Sequence, residues 1–284
     1  MASFNHAMVI VEDKHSNYCA LTRLVQREGE ELQRLTIYRL SLTMHDASEQ
    51  QIERDAINAV LSAISSQLKI EIVFYSRLFN NADFDSILLG LKPDVIVKMH
   101  SGQRFFEGFF KDKLEQYLVA HSTYPVWIVK PYVWDDTIQV LACLDLEDDT
   151  PANHQLNTRI LASADEMARK LSGDLHVIVC FFGEVCSMSF EQEDSGEFKR
   201  TTSVKLQHQQ LIDAYVADYS VADNGVHLIA GTPDFAIPDL VAELHAELVV
   251  IGNNVDKGIL AKLFGDTAFS LVKDIDCDVL VVKP

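Results

Sequence analysis

Short apolar runs alternate along the chain with longer stretches in which apolar residues recur every three or four positions. The short runs predict buried parallel strands, and the helical spacing predicts helices that cover them. In the first half, the predicted strands are residues 7–11, 36–42, 70–75, 94–97 and 126–129. The predicted helices of that half are residues 19–35, 50–68, 80–91 and 105–120.

The second half repeats this order of elements. Its predicted strands are residues 138–144, 175–179, 226–230, 248–251 and 279–282. Its predicted helices are residues 157–171, 204–219 and 235–245, with a last one after Gly265. A long polar stretch at 183–202 is a candidate for a mobile lid. Strands and helices that alternate in this way indicate an α/β fold with open parallel sheets.

The two halves also match in sequence. Residues 247–250 lie over residues 94–97, and residues 279–284 over residues 126–131, both at an offset of 153 residues. Near the start of each copy, residues 22–25 match residues 158–161. We therefore interpret the chain as two copies of one α/β domain, at residues 1–131 and 136–284, joined by a short linker.

Composition narrows the classes of function. Of the 284 residues, 48% are hydrophobic and 23% are charged, which is typical of a soluble globular protein. No apolar run approaches the ~20 residues of a membrane span, and residues 1–11 lack the features of a secretory signal. A net charge of −18 disfavours nucleic acid, because binding it requires basic groups to neutralise phosphates. We expect a cytoplasmic protein with no membrane or nucleic-acid partner.

Motifs for catalysis or metal binding are absent from the sequence. It has no Gly-x-Ser-x-Gly elbow, no Walker loop and no metal-ligand spacing among its ten histidines. The acidic residues after strand 138–144 indicate either a ribose or divalent-ion site or a solvated loop; they are Asp145, Glu147, Asp148 and Asp149. Four aromatic residues are either core or the lining of a cavity for an apolar ligand, namely Phe105, Phe106, Phe109 and Phe110.

A glycine-containing segment near the end of the chain carries the most specific signal. It runs from the strand ending at Gly252 through Asn253 and Gly258 to the stretch Phe264-Gly265-Asp266-Thr267-Ala268. A strand, a glycine loop and a helix start are the elements from which α/β proteins build anion sites. With Val279–Pro284 after it, this segment resembles the universal stress protein family, in particular its tandem, E-type members.

The resemblance implies two Rossmann-like (adenine nucleotide alpha hydrolase-like) domains, each a five-stranded parallel sheet with flanking helices. It also implies that the domains pair through their fifth strands, as an intramolecular pseudo-dimer, with a homodimer as a further expectation. Many members bind ATP through a loop of the form G-2x-G-9x-G-[ST]. In this sequence, the four defined positions of that loop correspond to Gly252, Val255, Gly265 and Asp266. The family also has an acidic residue at the end of the first strand, which in the second domain is Asp145. The edge of the adenine ring is expected to lie near Cys180, at the end of the second strand of that domain.

Two positions depart from the family pattern. Val255 stands where the backbone must come close to phosphates, and a β-branched residue resists that approach. Asp266 places a carboxylate at the helix start, where like charges ~4 Å apart repel by ~4 kcal/mol at a dielectric near 20. That repulsion corresponds to about a thousandfold in affinity. Thr267 could donate a hydroxyl instead, whereas Asp266 could simply cap the helix.

The corresponding positions in the first copy are Met99, Gly102, Asp112 and Lys113, and three of the four no longer match. ATP is therefore an expected cofactor of the second domain only, if of either. We expect a non-enzymatic stress-response protein that acts through an unidentified small-molecule ligand or a partner. Two alternatives stay open: an ATP binder or slow ATPase in the second domain, and a binder of an apolar or sugar-bearing metabolite.

Overall fold

The computed structural model describes residues 4–12, 18–28, 32–40, 47–62, 69–75, 81–100, 108–181, 195–253 and 270–284. These residues belong to two compact units. The first unit is Met1–Val133 with Asp276–Lys283, and the second is Trp134–Ile275 with Pro284. A domain of the sequence and a compact unit need not coincide, so the division at residues 131 and 136 stays a prediction.

Strands and helices alternate in the first unit. The strands are β1 (His6–Glu12), β2 (Arg34–Leu40), β3 (Lys69–Tyr75), β4 (Val95–Met99), β5 (Val126–Val129) and, from the end of the chain, β10 (Asp278–Val282). The helices are α1 (Cys19–Glu28), α2 (Ala47–Ser62), α3 (Asn81–Leu91) and α4 (Gly108–His121). Strands β1 to β5 are parallel in the order β3-β2-β1-β4-β5.

The second unit follows the same plan. Its strands are β6 (Gln139–Leu144), β7 (Asp174–Phe181), β8 (Val221–Ala230) and β9 (Leu248–Gly252). Its helices are α5 (Pro151–Leu171), α6 (Ser195–Val216) and α7 (Pro233–Leu244). The strands are parallel in the order β9-β6-β7-β8. The predicted α/β class, with parallel sheets and flanking helices, is confirmed.

Three predicted helix boundaries were wrong. Helix α1 ends at Glu28 rather than residue 35, because Leu35 belongs to β2, where it is fully buried. Helix α5 begins at Pro151, six residues earlier than predicted. Helix α6 begins at Ser195, so residues 195–202 of the predicted lid are helical, and residues 183–194 lie outside the described residues.

Strand β10 pairs antiparallel with β5, with Leu280 opposite Trp127. The family resemblance implied a pairing between fifth strands, and β5 and β10 are paired in this way; the pseudo-dimer itself stays a prediction. All four residues of β5 are fully buried, as are Val279 and Val281 of β10, so the contact lies in the core of the first unit. The last strand of the chain thus adds an antiparallel strand next to β5 in the first unit.

Asp278, at the start of β10, makes several polar contacts in this core. Its carboxylate lies 3.0 Å from Nη1 of Arg23 and accepts a hydrogen bond from the backbone N–H of Lys130 at 2.8 Å. The indole N–H of Trp127 lies 3.3 Å from the same carboxylate. Burial raises the pKa of Asp278 to about 6, although Arg23 and the hydrogen bonds lower it in part. The carboxylate is therefore ionised at pH 7.

Lys283 contacts the first unit just beyond the other end of β10. Its ammonium donates to the backbone carbonyl of Val119 in α4 at 2.6 Å. Burial lowers the pKa of Lys283 to about 7. Both ends of the last strand therefore place an ionisable side chain inside the first unit, where its contacts depend on the correct register.

The raised pKa of Asp278 predicts a specific pH dependence. As the pH rises, the unfolded chain releases this proton before the folded protein does, so the wild type loses stability relative to Asp278→Asn. Between pH 4.5 and pH 7, we expect the difference in free energy of unfolding to shift by about 2 kcal/mol in favour of the variant.

Denaturant titrations of the whole chain at several pH values, followed by Trp127 fluorescence in a Trp134→Phe background, measure this shift. The control is Asp276→Asn, because Asp276 is two residues away and exposed. A pH shift of the same size in both variants would contradict the assignment of the raised pKa to Asp278.

Candidate functional site

The loop between β6 and α5, residues 145–150, is called the acid loop below. Its carboxylates take part in local turns. The side chain of Asp145 accepts a hydrogen bond from the backbone N–H of Glu147 at 3.0 Å. The side chain of Asp148 accepts one from the backbone N–H of Thr150 at 3.1 Å. Asp145, the acid expected at the end of the first strand and a candidate ligand of a ribose or a divalent ion, thus has a carboxylate oxygen already bonded to its own loop.

Two buried asparagines of α5 hold the acid loop in place. The side-chain amides of Asn153 and Asn157 donate to the backbone carbonyl of Asp145 at 2.7 and 2.6 Å. Asn153 also donates to the carbonyl of Asp148 at 2.8 Å, and Asn157 accepts from the N–H of Asp145 at 3.2 Å. Both asparagines are at most 5% exposed. Because buried amides are costly to leave unbonded, this network fixes the loop against α5.

Histidines contact the two exposed acids of the loop. Nε2 of His154 lies 2.8 Å from Asp149, and its Nδ1 bonds to the hydroxyl of Tyr215 in α6. His208, also in α6, lies 3.4 Å from the carboxylate of Glu147, which is an ion pair when the imidazole is protonated. Helix α6 therefore contributes a tyrosine and a histidine to the surroundings of the acid loop.

The end of β7 lies beside the same helix. Cys180 is half-buried, and burial raises the pKa of its thiol to about 11, so the sulfur stays protonated at neutral pH. The ring of the next residue, Phe181, lies 5.5 Å from the imidazole of His208. The position that we expected to meet an adenine edge is thus adjacent to an aromatic pair formed by the protein itself.

Gly252 is the last residue of β9, and its lack of a side chain allows close packing. A Cβ at this position would lie 2.7 Å from Cδ2 of Leu156 and 2.8 Å from Cδ1 of Ile160, both in α5. The next residue, Asn253, is 2% exposed. The absence of a side chain at Gly252 therefore allows close packing between β9 and α5.

The remaining positions of the predicted phosphate loop lie outside the described residues, which resume at Ser270. They are Val255, Gly258, Gly265, Asp266 and Thr267. Their roles stay a prediction. The aromatic residues Phe105 and Phe106 lie outside the described part as well, and of Phe109 and Phe110 only the backbone, in α4, is described.

The corresponding region of the first unit contains a buried ionic network. Lys98 of β4 is fully buried and lies 3.3 Å from Glu115 of α4. His100, just after β4, lies 2.7 Å from the other oxygen of Glu115. Burial alone would raise the pKa of Glu115, but Lys98 and His100 outweigh it and lower the pKa to about 2. The passage from β4 to α4 is thus bridged by an ion pair within the protein.

Sequence reasoning missed Asn153, His154 and His208. The first two could have been found, since Thr150-Pro151 is a helix-start signal: the threonine accepts the N–H of Asn153 at 3.4 Å, and the proline occupies the first turn. A helix beginning there places residues 153 and 154 next to the acid loop. The role of His208 depends on the tertiary placement of α6, which no local pattern indicates.

Two features are absent from the described residues. No helix there is long and apolar enough to cross a membrane. In the same ranges, no group of three or more His, Cys, Asp and Glu side chains could hold a metal ion.

Comparison with known proteins gives consistent matches. Residues 149–283 match the sequence profile of the Universal stress protein family. Over the whole chain, the sequence is 25% identical to universal stress protein E of Escherichia coli K12, covering 95% of that protein. It is 22% identical to universal stress protein E of Photorhabdus laumondii, covering 96% of that protein.

Solved structures support the fold. A protein of unknown function from Pseudomonas aeruginosa PAO1 superposes with a TM-score of 0.77 at 19% identity, over 99% of this chain and 93% of the other. A universal stress protein from Archaeoglobus fulgidus superposes with a TM-score of 0.61 at 16% identity, over 97% of this chain and 96% of the other. At these identities, the likeness concerns the fold alone.

The packing of Gly252 leads to a direct prediction. Gly252→Ala is expected to lower the free energy of unfolding of the second unit by about 1–3 kcal/mol, because the added methyl overlaps side chains of α5. Gly90→Ala is the control, since a Cβ there meets nothing within 4 Å. In helix α3 that change should be neutral or stabilising by up to about 1 kcal/mol. Denaturant titration of both variants measures the difference, and a neutral Gly252→Ala would contradict the packing role.

Proposed function

We propose that this chain, which belongs to the universal stress protein family, is a non-enzymatic, cytoplasmic stress-response protein. It acts by binding a small molecule or a partner rather than by turning over ATP. The fold supports a ligand site, because open parallel sheets bind ligands at the carboxyl ends of their strands. In the second unit, the acid loop occupies one of those ends.

The observation that carries this proposal is that the acid loop is already bonded within the protein. Asp145 is engaged by the N–H of Glu147, and His208 lies beside both Glu147 and Phe181. A nucleotide that approached this edge would compete with those contacts. It would also bring phosphates towards four acidic side chains, in a chain whose net charge is −18.

The side chains around the acid loop do not favour catalysis. Asp149, His154 and Tyr215 are connected in the order of an acid–base relay. However, the side chain of Asp149 is 97% exposed and that of His154 is 47% exposed. Electrostatic catalysis depends on groups that are preorganised away from water, so a solvated relay contributes little. The protonated thiol of Cys180 is not a nucleophile at neutral pH.

The predicted phosphate loop of the second half supports the same proposal from the sequence. Val255 stands at a glycine position, and Asp266 stands where the family pattern has Ser or Thr. In the first unit, the Lys98–Glu115–His100 network bridges the equivalent passage. We therefore propose that neither half binds ATP tightly, and that only the second half keeps part of the loop.

Isothermal titration calorimetry with ATP and Mg²⁺ tests the proposal. For the wild type, we expect no binding tighter than about 1 mM, a value that corresponds to about −4 kcal/mol. The double variant Val255→Gly, Asp266→Ser restores the family pattern, and we expect it to bind up to about a thousandfold more tightly because the carboxylate is removed.

The matched control is Val255→Gly, Asp276→Ser, which also removes one negative charge but at an exposed position outside the loop. Micromolar binding of ATP by the wild type would contradict the proposal. Release of phosphate from ATP by the wild type, abolished by Gly265→Val, would instead favour a slow ATPase.

A further inference from the structure

We propose that the first unit has a binding site for a small uncharged molecule with a carbonyl oxygen, and that Nη2 of Arg39 is its main hydrogen-bond donor. This site lies apart from the acid loop and goes beyond the function proposed above. Arg39 is the next-to-last residue of β2, opposite Val11 of β1 and Phe74 of β3. It therefore lies at the carboxyl edge of the sheet, where α/β proteins bind ligands.

The guanidinium of Arg39 is buried but incompletely bonded. Arg39 is 1% exposed. Its Nε pairs with the carboxylate of Glu53 in α2, and its Nη1 donates to the carbonyl of Leu40 at 2.5 Å. Nη2 has no hydrogen-bond partner among the described atoms. A buried donor without a partner is costly, so an acceptor that reached Nη2 would gain more than it would at the surface.

Tyr18 is a second polar residue that senses the charges of this pair. It precedes α1, and its carbonyl accepts the first helical hydrogen bond from Thr22 at 2.8 Å. Its φ of 45° is unusual for a tyrosine and is maintained only where the surroundings fix it. Burial raises the pKa of Tyr18, and the charges of Glu53 and Arg39 also act on its hydroxyl. The hydroxyl is therefore protonated at neutral pH and able to donate a hydrogen bond.

The charges around the site determine the class of ligand. Arg39 and Glu53 neutralise each other, so the site presents donor groups without a net positive charge. An anion would gain from Arg39 but would be repelled by Glu53, and it would lose its hydration on burial. A neutral carbonyl oxygen accepts from Nη2 without either cost. A primary amide is the simplest molecule of this class.

Acetamide and acetate form a matched pair of probes, since they have the same shape and differ in charge. The protein is labelled with ¹⁵N, and the Nε–H signal of Arg39 is followed by NMR during titration with each probe. We expect a saturable shift with acetamide, with a dissociation constant on the order of millimolar for so small a ligand. Acetate should bind at least about tenfold more weakly, because of the Glu53 carboxylate.

Two variants test whether acetamide binds at Arg39. Arg39→Lys keeps a cation near Glu53 but removes Nη2. In this variant, acetamide should no longer shift the NMR signals of neighbouring backbone amides, such as that of Leu40. Arg34→Lys is the control, because Arg34 lies on the same strand at the opposite edge, in an exposed pair with Glu71. It should bind acetamide as the wild type does.

Three results would overturn the proposal. One is the lack of a saturable shift in the wild type, which means that water or the protein itself satisfies Nη2. The second is acetate binding as tightly as acetamide. The third is unchanged binding in a folded Arg39→Lys variant. If Arg39→Lys does not fold, the comparison of acetamide with acetate in the wild type still tests the proposal. None of these results depends on whether the second unit binds ATP.

Discussion

The antiparallel pairing of β10 with β5 is the constraint on which the first unit depends. It brings the last residues of the chain into the core of the first unit and buries Asp278 against Arg23. Burying a carboxylate is costly, as its raised pKa shows, so this contact is better understood as a determinant of register than as a source of stability. A slip of one residue would separate the two charges inside the core and turn the side chains of β10 to the opposite faces of the sheet.

The two units share a plan but use the carboxyl edges of their strands differently. In the second unit, polar contacts gather on an exposed acidic loop held by Asn153 and Asn157. In the first unit, buried cations are paired with carboxylates, as Lys98 is with Glu115 and Arg39 with Glu53. The two edges therefore differ in charge and exposure, and neither resembles an open phosphate site in its described part.

Much of the fold could be predicted because the strands are apolar on both faces. Runs such as Val126–Val129 contain no polar residue, which indicates a strand buried on both faces. The match between residues 94–97 and 247–250 indicated a duplication. Boundaries were predicted less well where an apolar residue suits either element, as at Leu35, which lies in β2 rather than α1. The assignment of β10 to the first unit could not be read from local pattern, because it depends on contacts between residues about 150 positions apart.

The candidate site was predicted only in part. Asp145 and Cys180 follow from the ends of predicted strands, and both lie where expected, at or just after the ends of β6 and β7. Further contacts around the acid loop come from His208 and Tyr215 of α6. The sequence predicted this helix, starting near residue 204, but not that it packs beside the loop. Gly252 was placed correctly, but its packing against Leu156 and Ile160 required the position of α5.

Native-state hydrogen exchange tests the central claim, that the last strand is part of the first unit. The amides of Val279 and Val281 in β10 are compared with those of Val126 and Ile128 in β5 as denaturant is added. The account predicts that both sets exchange with the same free energy and the same dependence on denaturant. Exchange of the β10 amides together with those of β9, at a free energy different from that of β5, would contradict it.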